Sequence, residues 1–190
     1  MVKALITGTP GVGKTTIARL LADRINCLVI SMGELATSEG LVTGYDEERD
    51  SYMVDVSRLK KRIDEILSGC SNAVVEGHIP CAVSSEHVDY VIVLRLHPEA
   101  LEARLRNRGY PECKVKENVL VEILDTCLQE ALECFEDDKV FEIDTTGRSP
   151  EEIIDEIVKI ISSGLGPRPG SVDWISKLEK NGKLDKYLSF

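Results

Sequence analysis

The spacing of apolar residues along this chain switches repeatedly between two periods. Short, mainly apolar runs at 2–7 (VKALIT), 27–30 (CLVI), 72–77 (NAVVEG), 90–96 (YVIVLRL) and 139–144 (KVFEID) have the length and β-branched content of buried strands. Between them the apolar positions recur every three or four residues, which places them on one face of a helix. Ile17, Leu20, Leu21 and Ile25 form one such set, and Leu59, Ile63, Ile66 and Leu67 form a second that Gly69 ends. Pro98 opens a third through Leu101 and Leu105, interrupted by Gly109 and Pro111. Leu120, Leu124, Cys127, Leu128, Ala131 and Phe135 predict one long helix over 116–135, and the run 149–161 (SPEEIIDEIVKII) predicts a capped helix with acids in its first turn. Strands and helices alternate, so the expected class is α/β, a parallel sheet with helices on both faces. The breaker at 164–170 (GLGPRPG) separates a main body, 1–164, from a tail, 165–190, whose Val172, Trp174, Ile175 and Leu178 read as a helical strap packed on that body.

The turn between the first strand and first helix, GTPGVGKTT, fits G-x-x-x-x-G-K-[ST] with Gly8, Gly13, Lys14 and Thr15. Glycines let backbone amides wrap an anion, the helix N-terminus adds partial positive charge, Lys14 can reach the β and γ phosphates, and the Thr15 hydroxyl can ligate Mg²⁺. A dinucleotide fold would want glycine where Thr16 stands and would leave Lys14 unexplained. A GTPase would carry a base-reading Asn-Lys-x-Asp segment, and the nearest approach, NGKLD in the tail, has the wrong spacing.

Composition narrows the partners. The chain has 190 residues with 23 basic and 33 acidic side chains, a net charge of −10. That balance argues against a direct nucleic-acid patch and suits a basic partner. The apolar runs are too short to span a membrane and nothing near Met1 resembles a leader, so a soluble protein is expected. Six cysteines without a C-x-x-C pair suggest a reduced, cytoplasmic chain.

Two further stretches carry candidate chemistry. Arg104, Arg106 and Arg108 precede the Gly109 and Pro111 break, as guanidinium groups closing on phosphates would. VVEGHIP ends an apolar strand with Glu76 and His78, where the alternative is a strand end meeting water. His87 and His97 lack such a context and read as structural.

TGTPGVGKTT, GYDEERD, VVEGH, VIVLRL, RLRNRGY and KVKENVLVEILDTCLQEA, in this order, resemble the adenylate kinase isoenzyme six family from about residue 2 to residue 160. The resemblance implies a P-loop NTPase fold of the nucleoside monophosphate kinase type: a five-stranded parallel sheet in the order 2-3-1-4-5, a monophosphate-binding segment at 31–54 and a lid at 107–117. It implies that Gly11, Gly13, Lys14, Thr15 and Thr16 hold the phosphates of ATP, with Arg108 closing on them and the loop 145–149, including Arg148, near the adenine. Glu76 falls at the family's acidic position, to hold Mg²⁺ with Thr15 or polarise the attacking hydroxyl, and His78 would orient a water or the acceptor. Cys113 is the only cysteine in the lid, so no zinc is expected. The implied activity is a broad-specificity nucleoside monophosphate kinase, with ATP and AMP giving two ADP as leading reaction, that is also an ATPase. The implied role is rRNA maturation in the small ribosomal subunit, through transient binding of the eleventh universal small-subunit ribosomal protein. The chain departs from the pattern after its GELA turn, where Thr37, Ser38 and Glu39 stand in place of a basic residue and the nearest arginines are Arg49 and Arg58. A nucleotide-gated assembly ATPase with negligible kinase activity, or a phosphate-loop kinase for another small metabolite, are the alternatives.

Overall fold

A computed structural model describes residues 1–188; the last two residues of the predicted tail, Ser189 and Phe190, lie outside the described residues. The alternating pattern resolves into β1 (Lys3–Thr7), α1 (Lys14–Ile25), β2 (Leu28–Ser31), α2 (Met32–Ser38), a hairpin of β3 (Val42–Asp46) and β4 (Ser51–Val54), α3 (Val56–Ser68), β5 (Ala73–Glu76) and β6 (Tyr90–Arg95). These are followed by α4 (Pro98–Asn107), α5 (Glu112–Ile123), α6 (Thr126–Cys134), β7 (Val140–Asp144), α7 (Pro150–Ser163), α8 (Trp174–Lys180) and α9 (Leu184–Leu188). Among the described residues, β2, β5, β1, β6 and β7 form one parallel sheet in that spatial order. Counting only its five strands, the order is 2-3-1-4-5, as expected.

Successive strand residues point to opposite faces, so the sheet has two cores. Ile6, Val74, Ile92, Leu94, Phe141 and Ile143 meet buried residues of α1, α4, α5 and α7 on one side. Leu5, Val75, Val91, Val93 and Val140 meet α2, α3 and α6 on the other. β1 lies between β5 and β6, which brings the ends of all three strands beside the turn that follows β1.

Three expectations need correction. The helix expected over 116–135 is two helices, because Asp125 adopts the left-handed conformation at φ 56°, where its carboxylate accepts a hydrogen bond from buried Arg95. The apolar spacing continues through the break, which hides it from a periodicity reading. The fully reduced chain is also wrong: Cys81 and Cys134 form a disulfide with Cα atoms 5.5 Å apart, while Cys27, Cys70, Cys113 and Cys127 are free. Their positions are 53 residues apart, and only the packing of α6 on the turn after β5 brings them together. Finally, Val172, Trp174 and Leu178 are buried in the tail but Ile175 is 42% exposed.

That tail is fastened along its length. Pro167 accepts a hydrogen bond from the Glu142 amide on the free edge of β7, and Lys183 and Lys186 pair with Glu99 and Glu102 of α4. No described helix is long and apolar enough to cross a membrane.

Candidate active site

The turn from β1 into α1 is shaped for close approach. Gly8 has φ 134°, and a Cβ there would stand 2.4 Å from the Leu94 carbonyl oxygen, so any larger residue would push the turn away from β6. Gly13, the N-cap of α1, has φ 117°, and a Cβ would meet nothing within 4 Å. Its need for glycine is therefore conformational, and the space above the helix N-terminus is open. Lys14 is buried and donates to the carbonyls of Gly8 (2.8 Å) and Thr9 (3.1 Å), across the concavity of the loop.

Burial lowers the pKa of Lys14; Glu76 and Glu122 oppose that fall and Arg108 adds to it. Cys127 is also near, but burial pushes its thiol up to about 11, so at neutral pH it adds no charge. Thr15 and Thr16 are exposed on the first turn of α1. A cleft of about 220 Å³ is lined by Val12, Gly13, Thr16, Arg104, Arg108 and Arg148, among others. It gathers residues expected to hold nucleotide from three separate parts of the chain. Arg108 is exposed and its guanidinium makes no hydrogen bond or ion pair among the described residues, whereas Arg148 is held by Glu156 (2.6 Å) and the carbonyls of Asp144 and Glu152. Arg108 thus brings a free charge, and Arg148 a fixed side chain. A larger hollow of about 360 Å³ lies beyond α5, lined by Arg49, Val115, Leu120 and Tyr187 among others, but no phosphate-loop residue reaches it.

On the other side of the loop, Glu76 ends β5 and is buried. The Ser31 hydroxyl, at the end of neighbouring β2, donates to its Oε1 (2.6 Å). Gly77 follows because Met32 packs against it: a Cβ would come within 2.2 Å of the Met32 sulfur. His78 follows one residue later, close enough to Lys14 to feel its charge. The residue keeps contact with solvent, yet desolvation by the surrounding protein, with the charges of Lys14 and Lys114 adding to it, lowers its pKa to about 4. His97 is structural, its Nδ1 accepting from the Glu99 amide (3.3 Å) as the cap of α4.

A family model described as an AAA domain matches residues 5–125. Curated proteins named "Putative adenylate kinase" align over nearly the whole chain. The Methanocaldococcus jannaschii protein is 45% identical over 90% of this chain and 92% of its own, and the Methanothermobacter thermautotrophicus protein is 47% identical over 89% and 95%. The chain belongs to this adenylate kinase-like family. Its fold is also that of shikimate kinases, including the Acinetobacter baumannii enzyme in complex with shikimate (TM-score 0.62, 19% identity, 86% of this chain and 94% of that one) and the Aquifex aeolicus enzyme (TM-score 0.53, 16% identity, 85% and 96%).

Within this family fold, sequence reasoning overlooked the groups that support the loop. Ser31 positions Glu76, and Thr9 donates to Glu122 (2.5 Å), which Arg95 holds in turn (2.8 Å). A signal was present. Glu122 falls on the buried stripe of α5 with Val115, Val119 and Ile123, and Arg95 and Glu142 interrupt strand runs that are otherwise apolar. Charged residues at core positions mark a buried, paired network.

Proposed function

We propose that this protein is an ATP-dependent phosphotransferase acting on nucleoside monophosphates, with AMP as leading acceptor, and that it also hydrolyses ATP. The observation that carries the reading is the cleft at the phosphate loop, where Gly13, Thr16, Arg108 and Arg148 come together one turn from Lys14. The loop amides of Gly11 and Gly13 and the Lys14 ammonium bind phosphate oxygens, and Arg108 closes over them. Thr15 and Glu76 offer hard oxygen donors, an exposed hydroxyl and a carboxylate, which suit Mg²⁺. Bound there, the metal would neutralise charge on the phosphates. Neutral His78 has a ring nitrogen able to accept a proton from a water or an acceptor hydroxyl.

The acceptor side favours a second reading in one respect. In and beside the segment 31–54, Arg49 is held by Asp46 and Glu117, Arg62 by Glu39 and Glu65, and Arg58 reaches the Gly40 carbonyl. A monophosphate must displace one of these partners to gain a guanidinium clamp. We therefore keep a nucleotide-gated ATPase of small-subunit rRNA maturation, acting in the cytoplasm on a basic ribosomal protein, as the companion role; the −10 charge supports such a partner.

ATP turnover against AMP, CMP, UMP and GMP, with a no-acceptor control, tests both. Transfer to AMP above hydrolysis is expected. Hydrolysis alone would leave the assembly reading, and neither activity in folded protein would overturn both.

A further inference from the structure

The C-terminal segment is joined to the phosphate loop through one buried carboxylate. Glu122 of α5 is 1% exposed, and both of its oxygens are engaged. Oε1 accepts from Arg95 Nε (2.8 Å), the Leu96 amide (3.1 Å) and Trp174 Nε1 (2.9 Å), and Oε2 accepts from Thr9 Oγ1 (2.5 Å). Thr9 is the second residue of the loop, and Lys14 donates to its carbonyl. Trp174 opens α8 in the tail and is itself 1% exposed. The same guanidinium reaches the tail by a second route. Arg95 pairs with Glu142, whose Oε2 accepts from Ser171 Oγ and the Val172 amide, both at 3.2 Å. Burial disfavours the charge on Arg95, but Glu122 and Asp125 outweigh it and hold its pKa above the ordinary value.

A buried carboxylate with every donor in place has little freedom to rotate, and loss of one donor disturbs the others. Trp174 therefore fixes the angle at which Glu122 presents Oε2 to Thr9. Thr9 in turn carries one of the two carbonyls against which the Lys14 ammonium rests.

We propose that Glu122 is a positioning residue that holds the phosphate loop in its anion-binding shape, and that the C-terminal segment sets Glu122 through the Trp174 Nε1–H. This rests on the reading of the loop as an ATP site. It makes docking of the tail and binding of nucleoside triphosphate one coupled equilibrium: whatever loosens the tail weakens ATP, and ATP tightens the tail by the same factor.

The test uses the full chain and MgATP, with binding followed by calorimetry and by the emission of Trp174, the single tryptophan in the sequence. Trp174→Phe keeps most of the ring packing and removes the donor; it is expected to weaken MgATP about threefold to tenfold while leaving the KM of the acceptor unchanged. Thr9→Val should weaken MgATP by a similar factor, and Thr9→Ser, which keeps the hydroxyl, should restore it. The double variant T9V/W174F should bind no more weakly than T9V alone, since both changes cut one chain of hydrogen bonds. In the wild type, MgATP should shift the Trp174 emission.

If W174F and T9V bind MgATP as the wild type does, or if their losses multiply in the double variant, the coupling is overturned. Should W174F fail to fold, T9V against T9S decides: weakened and restored supports the proposal, unchanged overturns it. A wild type that binds no ATP by calorimetry overturns the ATP reading itself, an outcome distinct from binding that ignores Thr9 and Trp174.

Discussion

At neutral pH the His78 imidazole is uncharged, because burial lowers its pKa to about 4 and the charges of Lys14 and Lys114 push the same way. An unfolded chain has its histidine near 6.5, so between those values the unfolded state binds more protons than the folded one. The share of stability that depends on neutral His78 is full above pH 6.5 and is lost as pH falls toward 4. A titration of the ring by NMR in the free protein should show a midpoint near 4, and a midpoint near 6.5 would refute the environment described for it. His78→Ala should slow ATP hydrolysis about 100-fold, the scale of a lost proton acceptor, while changing ATP affinity less than threefold. Lys14→Ala differs in kind: it removes the charge proposed to meet the phosphates, so turnover should fall about 100-fold or more and ATP binding should weaken with it. Turnover within threefold of wild type would dismiss the role given to Lys14. Both residues were legible in the sequence, Lys14 from the spacing of the glycine turn and His78 from the apolar run that delivers it. Glu122 was not, since a glutamate on a helix is usually solvated and only its place on the buried stripe says otherwise.

At the scale of elements, the sheet was readable because its strands are short, largely apolar runs, four of them almost wholly buried, each set off by helical spacing on at least one side. The hairpin of β3 and β4 was not, because its apolar residues Tyr45, Tyr52 and Met53 face outward and leave no stripe to detect. Likewise the break between α5 and α6 depends on Asp125 meeting Arg95, a contact across 30 positions. The Cys81–Cys134 bridge is the longest-range case and has a measurable consequence. It joins the turn three residues after His78 to the end of α6 and closes a loop of 53 residues, which on chain-entropy grounds contributes about 4 kcal/mol. Urea unfolding with and without a thiol reductant, and of C81S/C134S, should show that loss as a lower midpoint. Coincident curves, with free thiols counted to prove reduction, would remove the bridge from the account of stability.

Across the whole molecule, the hairpin tip meets the start of α5. Arg49 pairs with Glu117 (2.7 Å), Lys114 donates to the carbonyls of Arg49 (2.8 Å) and Asp50 (3.3 Å), and Lys114 is near enough to lower the His78 pKa. The two elements are therefore tied together on the side of the molecule where His78 lies. Arg49 and Glu117 are both roughly half exposed, at 46% and 49% of their side chains, so their pairing adds little to stability. Its effect should instead be on how long the hairpin and α5 stay together beside His78. In the proposed reaction, water would compete with the acceptor for ATP whenever these elements part. Glu117→Ala should leave the melting temperature almost unchanged and raise the ratio of hydrolysis to transfer by up to about fivefold. An exposed ion pair is screened by salt, so wild type in about 1 M salt should move in the same direction while the variant responds less. If the ratio is the same in variant and wild type, and salt moves both equally, the pairing has no part in excluding water.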